Sequence, residues 1–158
     1  MNNQSFHLLQ PNQLSFDSYF KVYVTPEGLY FAKIGGQLHS DEAYDSLPLV
    51  AGLALYLPYK QMQKKQQQRE EAYDQLATTN RFSEILANSR NSLIRKEELK
   101  QVTVSEKKSF HTMYSGSGSI TLSLTNGKKQ KFLVPSHESL TAIQGALASN
   151  LEVAVEKN

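Results

Sequence analysis

"LPLVAGLALYLPYKQMQKKQQQR", residues 47–69, sets eleven almost uninterrupted apolar residues in front of a basic, glutamine-rich run. As a helix, the apolar part rises only ~16 Å, and a bilayer-spanning helix needs about 20 apolar residues. Leu47, Leu49, Val50, Leu53, Leu55 and Leu57 occupy every side of such a helix. Burying each side chain is worth roughly 1.5–3 kcal/mol, so something has to cover them. Three hosts can do so: the protein's own core, a partner chain, or lipid. The rest of the chain decides what kind of body carries this segment.

Upstream, "FKVYVT" alternates, with Phe20, Val22 and Val24 on one face and Lys21 and Tyr23 on the other. "PEG" then supplies a turn and "LYFAKIG" a second strand, which together read as a hairpin. Residues 1–18 show no clear period and read as a loosely packed N-terminal arm with Phe6, Leu8 and Leu9 near the core. From about 36 to 90 the strand pattern stops. "KQMQKKQQQREEAYDQLA" is rich in helix formers and polar almost all round, which describes a solvated or projecting helix. Phe82, Ile85 and Leu86 form a short amphipathic turn able to dock back.

Alternation returns after Asn91. "SLIRK" and "LKQVTVSE" read as strands, with a bulge between Leu99 and Val102 where the alternation slips. "KSFHTMY" is a further strand at 109–114, and "SGSGS" a turn. In "ITLSLTNGKKQKFLV", Ile120, Leu122 and Leu124 alternate with polar residues, and Asn126-Gly127 is the preferred pair of a two-residue type I′ hairpin. Beyond Pro135, Ser136 is the expected N-cap of a helix over 137–150, whose Leu140, Ile143, Leu147 and Leu151 make one apolar stripe. Residues 151–158 read as a tail. The expected fold is mainly β with helices: one domain over 19–150, a seven-stranded antiparallel barrel or sandwich capped by a C-terminal amphipathic helix. A helical insertion at about 36–90 separates its second and third strands.

This order of elements resembles a pleckstrin-homology-like (PH-like) domain, the bacterial PH-like group in particular. There, a segment like "SLIRKEELKQVTV" leads to a hairpin like "ITLSLTNGKKQKFLV" and then to the closing helix. The resemblance covers residues 19–35 and 91–150, about half the chain. It implies a non-enzymatic binding or scaffolding module that takes lipid head groups, peptides or neighbouring subunits. The first hairpin loop, "TPEG", is short and carries Glu27, unlike the long basic loop of phosphoinositide-binding members.

Composition narrows the function classes. The 158 residues carry a net charge of +2, so only a local patch can draw an electrostatic partner, and nucleic acid is not expected. Cysteine is absent, which removes disulfides and thiolate chemistry. The histidines, His7, His39, His111 and His137, are scattered with no helical i, i+4 pair, so no metal or other cofactor is expected. "MNNQSFHLLQPNQLSF" lacks the basic and apolar regions of a signal peptide, so cytoplasmic residence is expected, with a peripheral position at the inner face of the membrane as the variant.

The contact segment is therefore expected at Leu49, Val50, Leu53, Leu55 and Leu57, supported by Lys60, Lys64, Lys65 and Arg69. Its leading role is protein–protein contact or self-association. The alternative is contact with anionic lipid, where each basic residue adds on the order of 1 kcal/mol. Against that, Pro48 and Pro58 bracket the segment, and Glu70, Glu71 and Asp74 reverse the charge just beyond. A second basic cluster, Arg95, Lys96, Lys128, Lys129 and Lys131, makes a candidate anion patch diluted by Glu97 and Glu98. A third reading, a small enzyme around His39 and Asp41, has the thinnest support, because adjacency in sequence does not bring catalytic groups together.

Overall fold

A computed structural model describes residues 4–12, 17–36, 49–107, 116–151 and 154–157, and at 49 and 51–55 the backbone alone. The strands are β1 (Gln4–Gln10), β2 (Ser18–Thr25), β3 (Gly28–Gly35), β4 (Ser92–Arg95), β5 (Leu99–Ser105), β6 (Gly118–Leu124), β7 (Lys129–Val134) and β8 (Val155–Lys157). Between β3 and β4 run α1 (Leu49–Thr78) and the short α2 (Phe82–Ile85), and α3 (Leu140–Leu151) precedes β8. The strands form one sheet in the order β4-β3-β2-β1-β7-β6-β5-β8, with β8 parallel to β5 and every other pairing antiparallel.

This corrects the expected seven-stranded closed antiparallel form. The described sheet has eight strands, is mixed, and is open, with β4 and β8 at its ends. The first reason lies in residues 4–10. They are not a loose arm: they form β1, paired with β2 along its full length and meeting β7 at Leu9–Leu133. Phe6 and Leu8 point one way from β1 and Leu9 the other, as the two-residue repeat requires. The second reason lies at the other terminus. Val155–Lys157, expected as tail, adds to β5 as an edge strand. The strand expected at 109–114 lies outside the described residues.

Local chemistry explains where the elements start and stop. Gly28, at φ +150°, sits where β4 crosses the β2–β3 turn; a Cβ there would collide with the Ile94 carbonyl. The β6–β7 turn differs from the type I′ expectation. Its tight bond runs from Gly127 N–H to the Leu124 carbonyl (3.0 Å), so Thr125-Asn126 are central and Gly127, at φ +83°, follows as the left-handed residue. That is a three-residue hairpin loop, a type I turn with a glycine bulge. The bulge expected near Leu99 is present as a register shift between Leu99 and Gln101. The last helix begins later than Ser136. Glu138 N–H closes a turn on the Pro135 carbonyl, and the Ser139 hydroxyl accepts from Ala142 N–H, so Ser139 is the cap.

Both faces of the β2–β3 pair are covered. On one, Phe20, Val22, Val24, Leu29 and Phe31 join residues of β5, β6 and β7 in the main core, capped by Leu140, Ile143, Leu147 and Leu151 of α3. On the other, Tyr23, Tyr30 and Ala32 pack with Ala77 of α1 and with Phe82 and Ile85 of α2. Phe82 meets the Tyr30 ring at 5.2 Å. Asn80, at φ +57°, ends α1 in the left-handed conformation that lets the Arg81 N–H return to the Leu76 carbonyl at 2.8 Å. Buried Asn91 then ties the end of the insertion to β3, giving its Nδ2–H to the Ile85 carbonyl (2.7 Å) and accepting Lys33 N–H at Oδ1 (2.8 Å).

Leu8 separates a central strand from a loose arm. Leu8→Ala in urea unfolding is expected to cost about 2–5 kcal/mol, the range for a truncated core leucine. A cost below about 0.5 kcal/mol, typical of a surface substitution, would return residues 4–10 to the arm.

Candidate functional site: a helix seated at one end

At thirty residues, α1 is about 45 Å long, whereas the eight residues of β3 span about 27 Å. One end therefore overhangs the strand it packs on. The seated end is the C-terminal one. Gln66 lies against Gly35 at the end of β3, Arg69 reaches the Ile34 carbonyl (3.3 Å), and Ala77 packs with Tyr23, Tyr30 and Ala32. Along α1 the better covered residues are Tyr59, Gln63, Gln66, Glu70, Tyr73 and Ala77, with Asp74 and Leu76 beside the last two. Their spacings of four and three place them on one side.

That side is polar, and polar groups fasten it. Lys21 of β2 donates to Glu70 Oε1 at 2.8 Å and to the Asp74 carboxylate at 2.9 Å. Tyr23 donates its hydroxyl to Asp74 Oδ1 at 2.7 Å. His7 of β1 extends the seam, with Nε2 at 3.0 Å from Glu70 Oε1 and Nδ1 at 2.7 Å from Glu138 Oε1, while its backbone N–H donates to the same Glu138 oxygen at 2.7 Å. Tyr19 stacks on the His7 ring at 5.4 Å. Four pieces of chain thus meet here: β1, β2, α1 and the turn before α3.

The charges shift accordingly. The hydrogen bond with His7, joined by Lys21 and opposed by burial, brings the Glu70 carboxyl down to about 2. Burial disfavours ionised Glu138, but the bonds from the His7 ring and backbone outweigh it and the net shift is downward. Burial likewise pulls His7 down, and the two carboxylates beside it more than reverse this, leaving it above its usual 6.5. Lys21 is raised by the same balance, burial against Glu70 and Asp74. Tyr23 is raised by burial and by its bond to Asp74.

The N-terminal half of α1 is different in kind: Tyr59 is buried, at 1% exposure, but several of its neighbours are open. Val50 is 80% exposed, Leu57 71%, Tyr56 50% and Met62 43%. Val50 and Leu57, seven residues apart, lie in one row that continues through Gln61, Lys64 and Gln68, opposite the seated side. Lys60, Lys64, Lys65 and Arg69 are exposed, and Lys60 lies over the Tyr56 and Tyr59 rings at 5.8 and 5.6 Å. The side chains of Leu49, Leu53 and Leu55 lie outside the described residues. Pro58 does not end the segment, because the helix continues through it. No helix among the described residues is long and apolar enough to cross a membrane.

Arg95, Lys96, Lys128, Lys129 and Lys131 are all exposed. The turn carrying Lys96 and the β6–β7 turn carrying Lys128 are joined by Thr125 N–H to the Glu98 carbonyl, 2.9 Å. Arg95 faces Glu27 at 4.0 Å, and its N–H is taken by Glu98. His39 and Asp41 lie outside the described residues. Reading by apolar period alone misses the fastening residues His7, Lys21, Glu70, Asp74 and Glu138. The available signal was the four-and-three spacing of hydrogen-bonding residues along α1.

No family model matches the chain, and no curated protein or solved structure matches it either.

The seam dictates a pH profile. Glu70 and Glu138 have lowered pKa values, so their stabilisation is present above the ordinary carboxyl value of 4.5 and is lost as pH falls toward about 2 for Glu70. His7 is raised, so its contribution is full below 6.5 and is lost as pH rises through the folded-state value. In metal-free buffer, stability is expected to peak between 4.5 and 6.5 and to decline on the alkaline side. His7→Gln should flatten that decline in thermal melts. An unchanged alkaline decline in this variant would contradict the assignment.

Proposed function

We propose that the chain is a non-enzymatic binding module of the PH-like class, and that the overhanging end of α1 makes its protein–protein contact by self-association or by seating on a partner chain. The observation that carries this reading is the exposed row of Val50 and Leu57 on the side of α1 turned away from its own sheet, with Tyr56 and Met62 exposed at the borders of the seated side. Exposed single apolar residues are ordinary, but Val50 and Leu57 share one row about 10 Å long, with no residue of the described sheet over it, which suits contact. Lys60, Lys64 and Lys65 border the patch and favour an acidic counterpart.

Support for the PH-like class comes from element order: a first hairpin, an excursion, a run of antiparallel strands, and a helix whose apolar side lies on the core. The extra strands β1 and β8 and the open sheet are this chain's departures from the simple form. The same Lys-flanked row also suits a shallow lipid contact at the inner face of a membrane, so the experiment has to separate the two hosts.

Val50→Glu with Leu57→Glu is expected to leave the urea midpoint unchanged and to abolish concentration-dependent association in light scattering. Sedimentation of the wild type with anionic vesicles, lost on Lys64→Glu or in high salt, would replace the protein contact by lipid. Unfolding of the double variant would instead make the segment part of the core.

A further inference from the structure

We infer that His7, His137 and Glu138 form a binding site for one divalent cation of zinc's kind, joining β1 to the turn before α3. Among the described residues these three offer ligand atoms that all lie within 4.8 Å of one another. Their arrangement is that of a small coordination sphere. The His7 and His137 ring centroids are 5.3 Å apart, with the planes at 62°. Two imidazoles on one tetrahedral zinc, each at a Zn–N distance near 2.0–2.1 Å, place their centroids about 5 Å apart. Glu138 Oε1 is 2.7 Å from His7 Nδ1 and 3.9 Å from His137 Nε2, on either side of the donor spacing of roughly 3.3 Å in a tetrahedral site.

The surroundings orient the ligands. A metal-bound histidine characteristically gives its other ring N–H to a carboxylate, which fixes the tautomer and raises ligand basicity. With Nδ1 of His7 on the metal, Nε2–H faces Glu70 Oε1 at 3.0 Å. Lys21 holds that carboxylate in place from its other side, at 2.8 Å. The His7 backbone N–H holds Glu138, and Tyr19 stacks on the His7 ring. His7 and Glu138 are largely covered, whereas His137 is half exposed, so the ion enters past His137 and a water completes the four ligands. Two imidazoles and one carboxylate suit zinc and its late-transition neighbours, and not magnesium or calcium, which take all-oxygen sets. In the chain without metal the His7 ring lies between Glu70 and Glu138.

The test uses the untagged full chain, stripped with chelator, in calorimetric titration with Zn²⁺ and in spectroscopic titration with Co²⁺. One ion per chain is expected, with the intense visible bands of tetrahedral Co²⁺. His137→Ala, at a half-exposed position, should keep the wild-type urea midpoint in chelator while weakening zinc at least tenfold and removing those bands. A titration with no saturable single site would overturn the assignment, as would a change of less than tenfold in His137→Ala. Neither result bears on the Val50–Leu57 contact, which is read separately by light scattering.

Discussion

The ammonium of Lys21 decides where the long helix lies. It projects from the face of β2 that would be solvated in a simple antiparallel sheet, and two acids one helical turn apart, Glu70 and Asp74, close on it. A covered ion pair is weak evidence for net stability, because desolvation offsets much of the attraction. Its value is positional. Tyr73 and Ala77 could slide along apolar neighbours at small cost, but a helix displaced by one turn would leave a lysine and two carboxylates unmatched. With Tyr23 bonded to Asp74 and His7 to Glu70, the setting along the sheet and the rotation about the helix axis are both specified.

From that constraint follows the exposed end. Seating Glu70 and Asp74 over β2 carries the helix past Gly35, and the residues before Gln66 extend beyond β3. The rotation that turns Glu70, Tyr73 and Ala77 inward turns Val50 and Leu57 outward. The proposed contact surface is thus a geometric consequence of a fastening some 20–35 Å further along the same helix at 1.5 Å per residue. His7 links this seam to the proposed cation site, since one of its ring nitrogens serves each. The proposed cation site and the helix seat therefore share a single imidazole.

Much of the frame was legible in the residues because it obeys a period of two or of 3.6. The β2–β3 hairpin, the strands after Asn91 and the apolar side of the last helix all follow from alternation or from three-and-four spacing of leucine, isoleucine and valine. Gln4–Gln10 escaped that reading. Its inner residues Phe6 and Leu8 are only two, and a central strand covered on both faces loses clean alternation. The β6–β7 turn was placed correctly, but its type depends on the sign of φ at Asn126, which the Asn-Gly pair alone does not determine. On α1, the seated side is built mostly from Tyr, Gln, Glu, Asp and Ala, with Leu76 its one described leucine, so a search for apolar faces sees a solvated helix. Nor could spacing bring His7 beside His137 and Glu138, 130 residues apart in sequence. That meeting exists because β1 crosses to β7 and because Pro135 and Ser139 hold the turn before α3.

Hydrogen exchange along α1, compared between the wild type and Lys21→Met, tests the fastening most directly. If Lys21 seats the helix, amides from Gln66 to Thr78 are protected in the wild type and exchange faster in the variant. Those of β5 and β6, which Lys21 does not touch, keep their rates. Equal protection of residues 66–78 in both proteins would mean that apolar packing alone holds the helix, and the positional role of the ion pair would be contradicted.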